Sequence, residues 1–379
     1  MRGSRLLAAG VLALLCVVAA ARQPAELARL GLPDVPDADS LQAARIELGR
    51  KLFMDRRLSR NGTMSCGMCH VPEQGFAQNE LATSVGIEGR SVRRNAPTVL
   101  NTGFNESYFH DGRARTLEEQ AWGPLLAPDE MGNSDRASVV ARVAALSDYA
   151  QPLRSVFGDA ALSEAHIGEV LAAYQRSLVS GGSRFDRWYY GGESDALDAQ
   201  EKRGFVVFRG KAQCTACHKL GKRHALFTDQ AFHNLGVGLP AAGERDGVDV
   251  ALAPGLTTRV SQSVVQSVSA PVRPDDGRFE VTANERDRSA FRTPTLRNVE
   301  LTAPYMHDGS LATLREVVDF YDRGGNPNDN LDALMVPLYL SEQDKQDLVA
   351  FMRALTGANV QELTRQARAE ASTPSMRTD

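Results

Sequence analysis

Four of the five cysteines fall in two pentads, CGMCH (Cys66, Cys69, His70) and CTACH (Cys214, Cys217, His218). In each, an imidazole directly follows the second of two closely spaced thiols. Two structural disulfides are the plain reading of such cysteines in an oxidising compartment. A zinc site would need four converging ligands, and a redox dithiol would need a βαβ setting that the sequence does not offer. The histidine after each pair points elsewhere. Two thiols at this spacing can add to the vinyl groups of a porphyrin while the adjacent imidazole reaches the iron from one face, the attachment pattern of c-type haem. Two pentads therefore predict two covalently bound haems, with His70 and His218 as iron ligands.

A second repetition surrounds them. RNAPTVLNTGFNESYFHDGRARTLEEQ (94–120) aligns without a gap with FRTPTLRNVELTAPYMHDGSLATLREVVDFY (291–321) at an offset of 197 residues, whereas the pentads are offset by only 148. The second copy thus carries 49 extra residues, within the polar, loop-rich stretch 220–290. The chain reads as a duplicated cytochrome: an N-terminal domain over 22–182, a C-terminal domain over 183–362 and a solvated tail over 363–379.

The elements expected to hold these groups are helices. SLQAARIELGRKLF, SEAHIGEVLAAYQRSLV and SEQDKQDLVAFMRALTG each open on a serine suited to capping and carry apolar residues at helical spacing. Little alternates at period two, so the expected fold is all-α: two cytochrome c-like domains with long loops between helices. A chain of 379 residues with 42% hydrophobic content can fill two ordinary cores. Its net charge of −4, with no gathered block of Lys and Arg, argues against nucleic acid as a partner. Arg2, Arg5, the apolar run LLAAGVLALLCVVAA and the small residues up to Ala21 read as an export signal over 1–21, hence a periplasmic protein. The run is short for a membrane span, and Cys16 would leave with the signal.

What fills the second axial position of each iron separates a carrier from a catalyst. Extending the alignment sets Tyr321 opposite Pro124. A phenolate can bind iron and proline cannot, so the second haem is expected to be closed by His218 and Tyr321, and the first held by His70 alone. An ordinary half-buried tyrosine is equally compatible with the spacing. Met306, Met335, Met352, His224 and His233 also compete, although Met306 reads as core filler and the two histidines as hydrogen-bonded structural groups. His166 reads as exposed on a polar helix face. Peroxide cleavage at an open haem needs a base that returns its proton to the leaving oxygen. Glu130, beside Asp129 and after Gln120, would serve if a pocket raised its pKa; the same residues also read as a solvated loop.

ELGRKLFMDRRLSRNGTMSCGMCH, YFHDGRARTLEEQ, GPLLAPDEM, FHNLGVG and TPTLRNVELTAPYMHDGSLATLREVVDFY, in that order, resemble the bacterial di-haem cytochrome c peroxidases and their MauG-like relatives over nearly all of the mature chain. The resemblance implies a peroxidatic N-terminal haem, an electron-transferring C-terminal haem and a calcium ion between them. It assigns the acid–base role to Glu130 with Gln120 as companion amide, and calcium contacts to the Asn95 side chain and the carbonyls of Thr302 and Pro304. By themselves these three would pass as turn formers, though a hard cation does take oxygen ligands. Where ordinary members carry an axial methionine, the MauG-like branch carries tyrosine, as here. The histidine that ordinary members place in the loop after the first pentad is missing from VPEQGFAQNELATSVGIEGRSVRRN, which implies a first haem already open.

Two departures stand out. The usual tryptophan between the haems is His110, which either bridges them or repeats the structural role of its counterpart His307, a propionate or backbone contact. Trp122 is near in sequence but need not replace it. Ala212 occupies the place of a surface tryptophan used by MauG on a quinone-forming substrate, which leaves remodelling of an amine dehydrogenase unsupported. The implied partners are hydrogen peroxide and a small electron-donor protein (cytochrome c or cupredoxin) or a quinol, and a homodimer is allowed. Anionic tyrosinate would favour holding the second oxidising equivalent at the second haem. The alternatives are a MauG-like enzyme that oxidises a protein partner and a non-enzymatic di-haem electron carrier.

Overall fold

The computed structural model describes residues 24–239, 248–253, 256–260 and 275–369. The export signal, Cys16, part of the 220–290 stretch and residues 370–379 lie outside them. Seven helices matter to the site: α1 (Ala43–Met54), α2 (Leu117–Leu126), α3 (Glu164–Ser177), α4 (Ala199–Arg209), α5 (Leu314–Asp322), α6 (Glu342–Arg353) and α7 (Val360–Arg368).

The repetition in sequence is a repetition of geometry. Asn101 and Asn298 both adopt φ 62°, and Phe109 and Met306 are left-handed at 64° and 74°. These pairs are related by the offset of 197. The hydroxyls of Thr98 and Thr295, related in the same way, donate to the carbonyls of Gly75 and Leu226, each at 2.6 Å. Thr116 and Thr313 cap α2 and α5, accepting from the backbone N–H of Glu119 and Glu316. Such caps satisfy amides that a helix start leaves unpaired.

Each half is built on one close helix crossing. α1 meets α3 at Gly49, where an added Cβ would lie 1.9 Å from the Val170 carbonyl oxygen; α4 meets α6 at Gly204, where it would lie 1.9 Å from that of Asp347. A carbonyl inside a helix cannot yield without moving the helix, so only glycine fits. Gly204→Ala should therefore destabilise the protein by about 1–3 kcal/mol through overpacking. The urea midpoint checks this, and an unchanged midpoint would contradict the crossing.

Two main apolar clusters follow. In the first, Leu52, Phe53, Leu125, Val170, Leu171 and Tyr174 pack with residues of α7; the second gathers Phe185, Phe205, Phe208, Phe227 and Phe351. Burying one such large side chain contributes about 1.5–3 kcal/mol. Arg297 is fully buried beside the second cluster, forked onto Asp186 at 2.8 and 2.9 Å and donating to the carbonyls of Ala225 (2.7 Å) and Gly31.

Several expectations need correction. Residues 363–368, read as part of a solvated tail, end α7, which returns to the N-terminal half: Leu363 and Ala367 are buried there, the Thr364 hydroxyl donates to Pro72 O and Arg368 pairs with Glu73. The apolar stripe of Val360, Leu363 and Ala367 has helical spacing, hidden among polar neighbours. Ser40 caps no long helix, since α1 follows Gln42 without a side-chain cap. Ser163 and Ser341 do cap α3 and α6. His166 is half-buried and stacks on Phe157 at 4.0 Å instead of standing exposed. The fold is largely helical, with two short antiparallel pairs among the described residues: Phe232–His233 with Phe291–Arg292, and the hairpin Val248–Ala253 with Leu256–Val260 in the inserted stretch. Among the described residues no helix is long and apolar enough to cross a membrane.

Candidate functional site

A cavity of about 620 Å³ runs between the halves, bordered by Cys69 and His70 of one pentad and Cys214, Cys217 and His218 of the other. Cys66 borders an adjoining pocket with Phe53, Met64 and Leu171. All four thiols are free, so neither pentad forms a disulfide. His70 Nδ1 lies 2.9 Å from the Pro97 carbonyl oxygen, and His218 Nδ1 lies 2.8 Å from that of Phe227. A carbonyl only accepts, so each Nδ1 carries the proton and each Nε2 keeps its lone pair. Burial pushes the pKa of both imidazoles down, which favours the neutral form that ligates metal. Three of the four free thiols and both oriented imidazoles on one cavity wall, with Cys66 in the adjoining pocket, fit two haems.

At the first end, Gln120 and Pro124 border the cavity from α2, and Asp129 and Glu130 from the turn after it. That turn is not a free loop. Its backbone is tied by bonds from Met131 N to Pro124 O, Gly132 N to Ala127 O and Ile87 N to Glu130 O. Gly86 sits against the Asp129 carbonyl, where a Cβ would come within 2.0 Å. Glu130 is half-buried, and its carboxyl is pushed up to about 7, mainly by burial and further by the neighbouring Asp129, with Arg113 opposing.

At the second end Tyr321 borders the cavity from α5. Burial pushes its hydroxyl pKa up. Met306, Met335, Met352 and His233 also reach the wall, whereas His224 does not. His233 is already engaged by Asp332 (2.6 Å) and Asp229 (3.0 Å), and Met352 is packed into the second cluster.

Between the ends, His110 Nε2 lies 3.0 Å from Asn95 O, and the His307 ring stacks on Phe291 at 3.5 Å. Burial is the main cause that lowers both imidazoles to about 4, so both are neutral. Asn95 donates from Nδ2 to Ala82 O at 3.0 Å, which leaves its Oδ1 as an acceptor, and Asn95, Thr302 and Pro304 all border the cavity. Trp122 is buried in the first cluster and does not border it. Ala212 is buried, not on the surface. Sequence reasoning passed over Arg292, which borders the cavity; its place opposite Asn95 in the repeat was the available signal.

A largely helical protein of two like halves, with paired thiols and oriented imidazoles facing a shared cavity, is the architecture of a haem-dependent oxidoreductase. The family model described as di-haem cytochrome c peroxidase matches residues 43–194. The chain is 38% identical to the methylamine utilization protein MauG of Methylorubrum extorquens, covering 84% of this chain and 80% of that protein. It is also 38% identical to the cytochrome-c peroxidase IdrP1 of Pseudomonas sp. (strain SCT), covering 87% and 85%. The crystal structure of a MauG-like protein associated with microbial copper homeostasis matches with a TM-score of 0.71 at 32% identity, covering 87% of this chain and 95% of that one. The chain belongs to the di-haem cytochrome c peroxidase family and is an enzyme, an oxidoreductase of the peroxidase type.

Proposed function

We propose that this is an exported, periplasmic peroxidase that reduces hydrogen peroxide at the centre held by His70, with electrons drawn from a small donor protein or a quinol. Cys66 and Cys69 anchor one haem covalently, and Cys214 and Cys217 the other. Bound there, the haems supply a ligand position for peroxide and two redox centres. The residues supply the rest. Pro124 has no donor atom to offer on the face where its repeat counterpart offers a phenol, so that face is kept for substrate. Glu130 accepts the proton of the near peroxide oxygen and returns it to the leaving one. Gln120, one turn before Pro124, orients the bound peroxide through its amide. Tyr321, with His218, would hold the haem of the second pentad. Asn95 Oδ1 with the carbonyls of Thr302 and Pro304 holds calcium, a set of oxygen ligands suited to a hard cation.

The observation that carries this reading is Glu130: a half-buried carboxyl raised to about 7, on the same wall as His70. Acid–base work at neutral pH needs such a group. Tyr321 is preferred over His233 and His224 because it borders the cavity, whereas His233 is held by Asp332 and Asp229 and His224 does not reach the wall.

Electron paramagnetic resonance of the ferric protein is the test. A high-spin signal together with a low-spin one is expected, and two low-spin signals would overturn the peroxidase reading in favour of a carrier. Tyr321→Phe is expected to alter the low-spin signal while peroxide still binds; an unaltered spectrum would remove Tyr321 from the ligands. Turnover with reduced cytochrome c, compared with a quinol, identifies the donor class.

A further inference from the structure

The two halves meet through a reciprocal pair of backbone bonds. Asn95 N–H donates to the His307 carbonyl at 2.7 Å, and Arg292 N–H donates to the His110 carbonyl at 2.8 Å. By the offset of 197, Asn95 corresponds to Arg292 and His110 to His307. Each copy therefore hands the same backbone amide to the other copy's histidine, and a local two-fold axis passes between them.

The side chains break that symmetry. Asn95 is neutral, and its amide nitrogen is used by Ala82. Arg292 places a guanidinium at the equivalent position on the cavity wall. Its Nε and Nη1 are closed to solvent and have no hydrogen-bond partner. Asp111, which lines the same cavity, and Asp275 both bond to Arg94 at 2.6–2.7 Å. No carboxylate of the described residues pairs with Arg292. Burial lowers its pKa to about 10, and the phenol of Tyr108 is the sole group whose charge would oppose that.

A cation closed off from water and left unpaired is costly, so such a position implies an anionic ligand. The guanidinium fork matches a planar carboxylate, which it can hold by two parallel bonds. Two sources of carboxylate can reach this wall: the propionates of a haem attached at either pentad, or a small free carboxylate entering the cavity. The first is tethered and always present, and the cavity joins Arg292 to both pentads.

We propose that Arg292 is the carboxylate-binding residue of this cavity and that it holds a haem propionate at the join of the two halves. The proposal rests on the reading of the pentads as haem attachment sites. It also gives the broken symmetry a purpose. One side of the axis supplies a built-in cation in Arg292, and the other supplies the Asn95 oxygen toward a bound one. A fixed positive charge beside a haem favours its reduced state, so Arg292 raises the midpoint potential of the haem it holds.

The experiment is spectroelectrochemical titration of the holoprotein, with wild type, R292Q and R292K compared at pH 7. Haem per chain is measured first by pyridine haemochromogen absorbance. Fewer than two in the wild type would sink the attachment reading itself, separately from the role of Arg292. With both haems present, R292Q is expected to lower one of the two midpoints by the equivalent of a several-fold change in the reduction equilibrium, with R292K closer to wild type. Two unmoved midpoints would overturn the proposal. Added acetate should leave the wild-type midpoints in place; a shift as large as that of the substitution would assign the site to a free carboxylate instead. Should R292Q not retain its haems, R292K still decides, because it keeps the charge and loses the fork. Its propionate bending band in resonance Raman is expected at lower frequency, and an unmoved band overturns the proposal.

Discussion

Glu130→Gln is expected to slow peroxide cleavage about 10²–10⁴-fold, the usual contribution of a positioned acid–base group, with both haems still attached. The substitution keeps the size of the side chain and removes its ability to exchange a proton. The pH profile separates that role from mere packing. Since Glu130 must be ionised to accept a proton and its carboxyl is raised to about 7, the wild-type rate should rise with pH through a limb centred near 7. The glutamine variant should lack this limb. Asp129→Asn removes a negative charge that raises the Glu130 pKa, so it should move the limb to lower pH. Stopped-flow peroxide consumption by the ferrous donor-reduced enzyme reads all three, and an undiminished rate in Glu130→Gln would remove it from the mechanism.

The second large effect is on stability. Arg297→Ala should cost about 3–5 kcal/mol, because breaking a buried ion pair from one side leaves the other charge uncompensated. Side-chain exposure is 1% for Arg297 and 0% for Asp186, so water cannot repair the loss. The same guanidinium also joins the N-terminal segment at Gly31 to the C-terminal half at Ala225, and both carbonyls would lose a donor. Arg297→Lys should be nearly as harmful, since a single ammonium cannot reproduce the fork. Arg297→Met combined with Asp186→Asn should recover part of the stability, as no charge is then stranded. Urea unfolding of the holoprotein measures each. A loss below about 1 kcal/mol for Arg297→Ala, the level of an exposed pair, would mean that this network does not tie the segments together.

How much of the site was legible beforehand differs from residue to residue. The pentads could be read as attachment sites because the chemistry proposed for them is local: two thiols and an imidazole must sit within five consecutive positions, whatever the fold. The duplication was legible because two copies of one backbone path keep the same turn and cap residues, and the paired left-handed asparagines and capping threonines follow that register. The opposition of Tyr321 and Pro124 came from the same register, since it needs only an ungapped alignment.

Burial and partnership are set by segments distant in the chain, and there the sequence was silent or misleading. Asp129 and Glu130 look the same in a string of letters as any acidic pair on a loop. Burial of that turn, which packs against Gly86 and the cavity wall, is the main cause that raises the Glu130 carboxyl to about 7, with Asp129 adding to it. The polar composition of 363–379 suggested a tail because Leu363 and Ala367 are few, yet α7 docks those few onto the first core, far from its own neighbours in sequence. The orphaned guanidinium of Arg292 is likewise a product of tertiary structure: whether an arginine finds a carboxylate depends on which chains surround it. Chemistry confined to a few consecutive residues was determined by the sequence alone, and chemistry that depends on what excludes water was decided only when the two halves closed on each other.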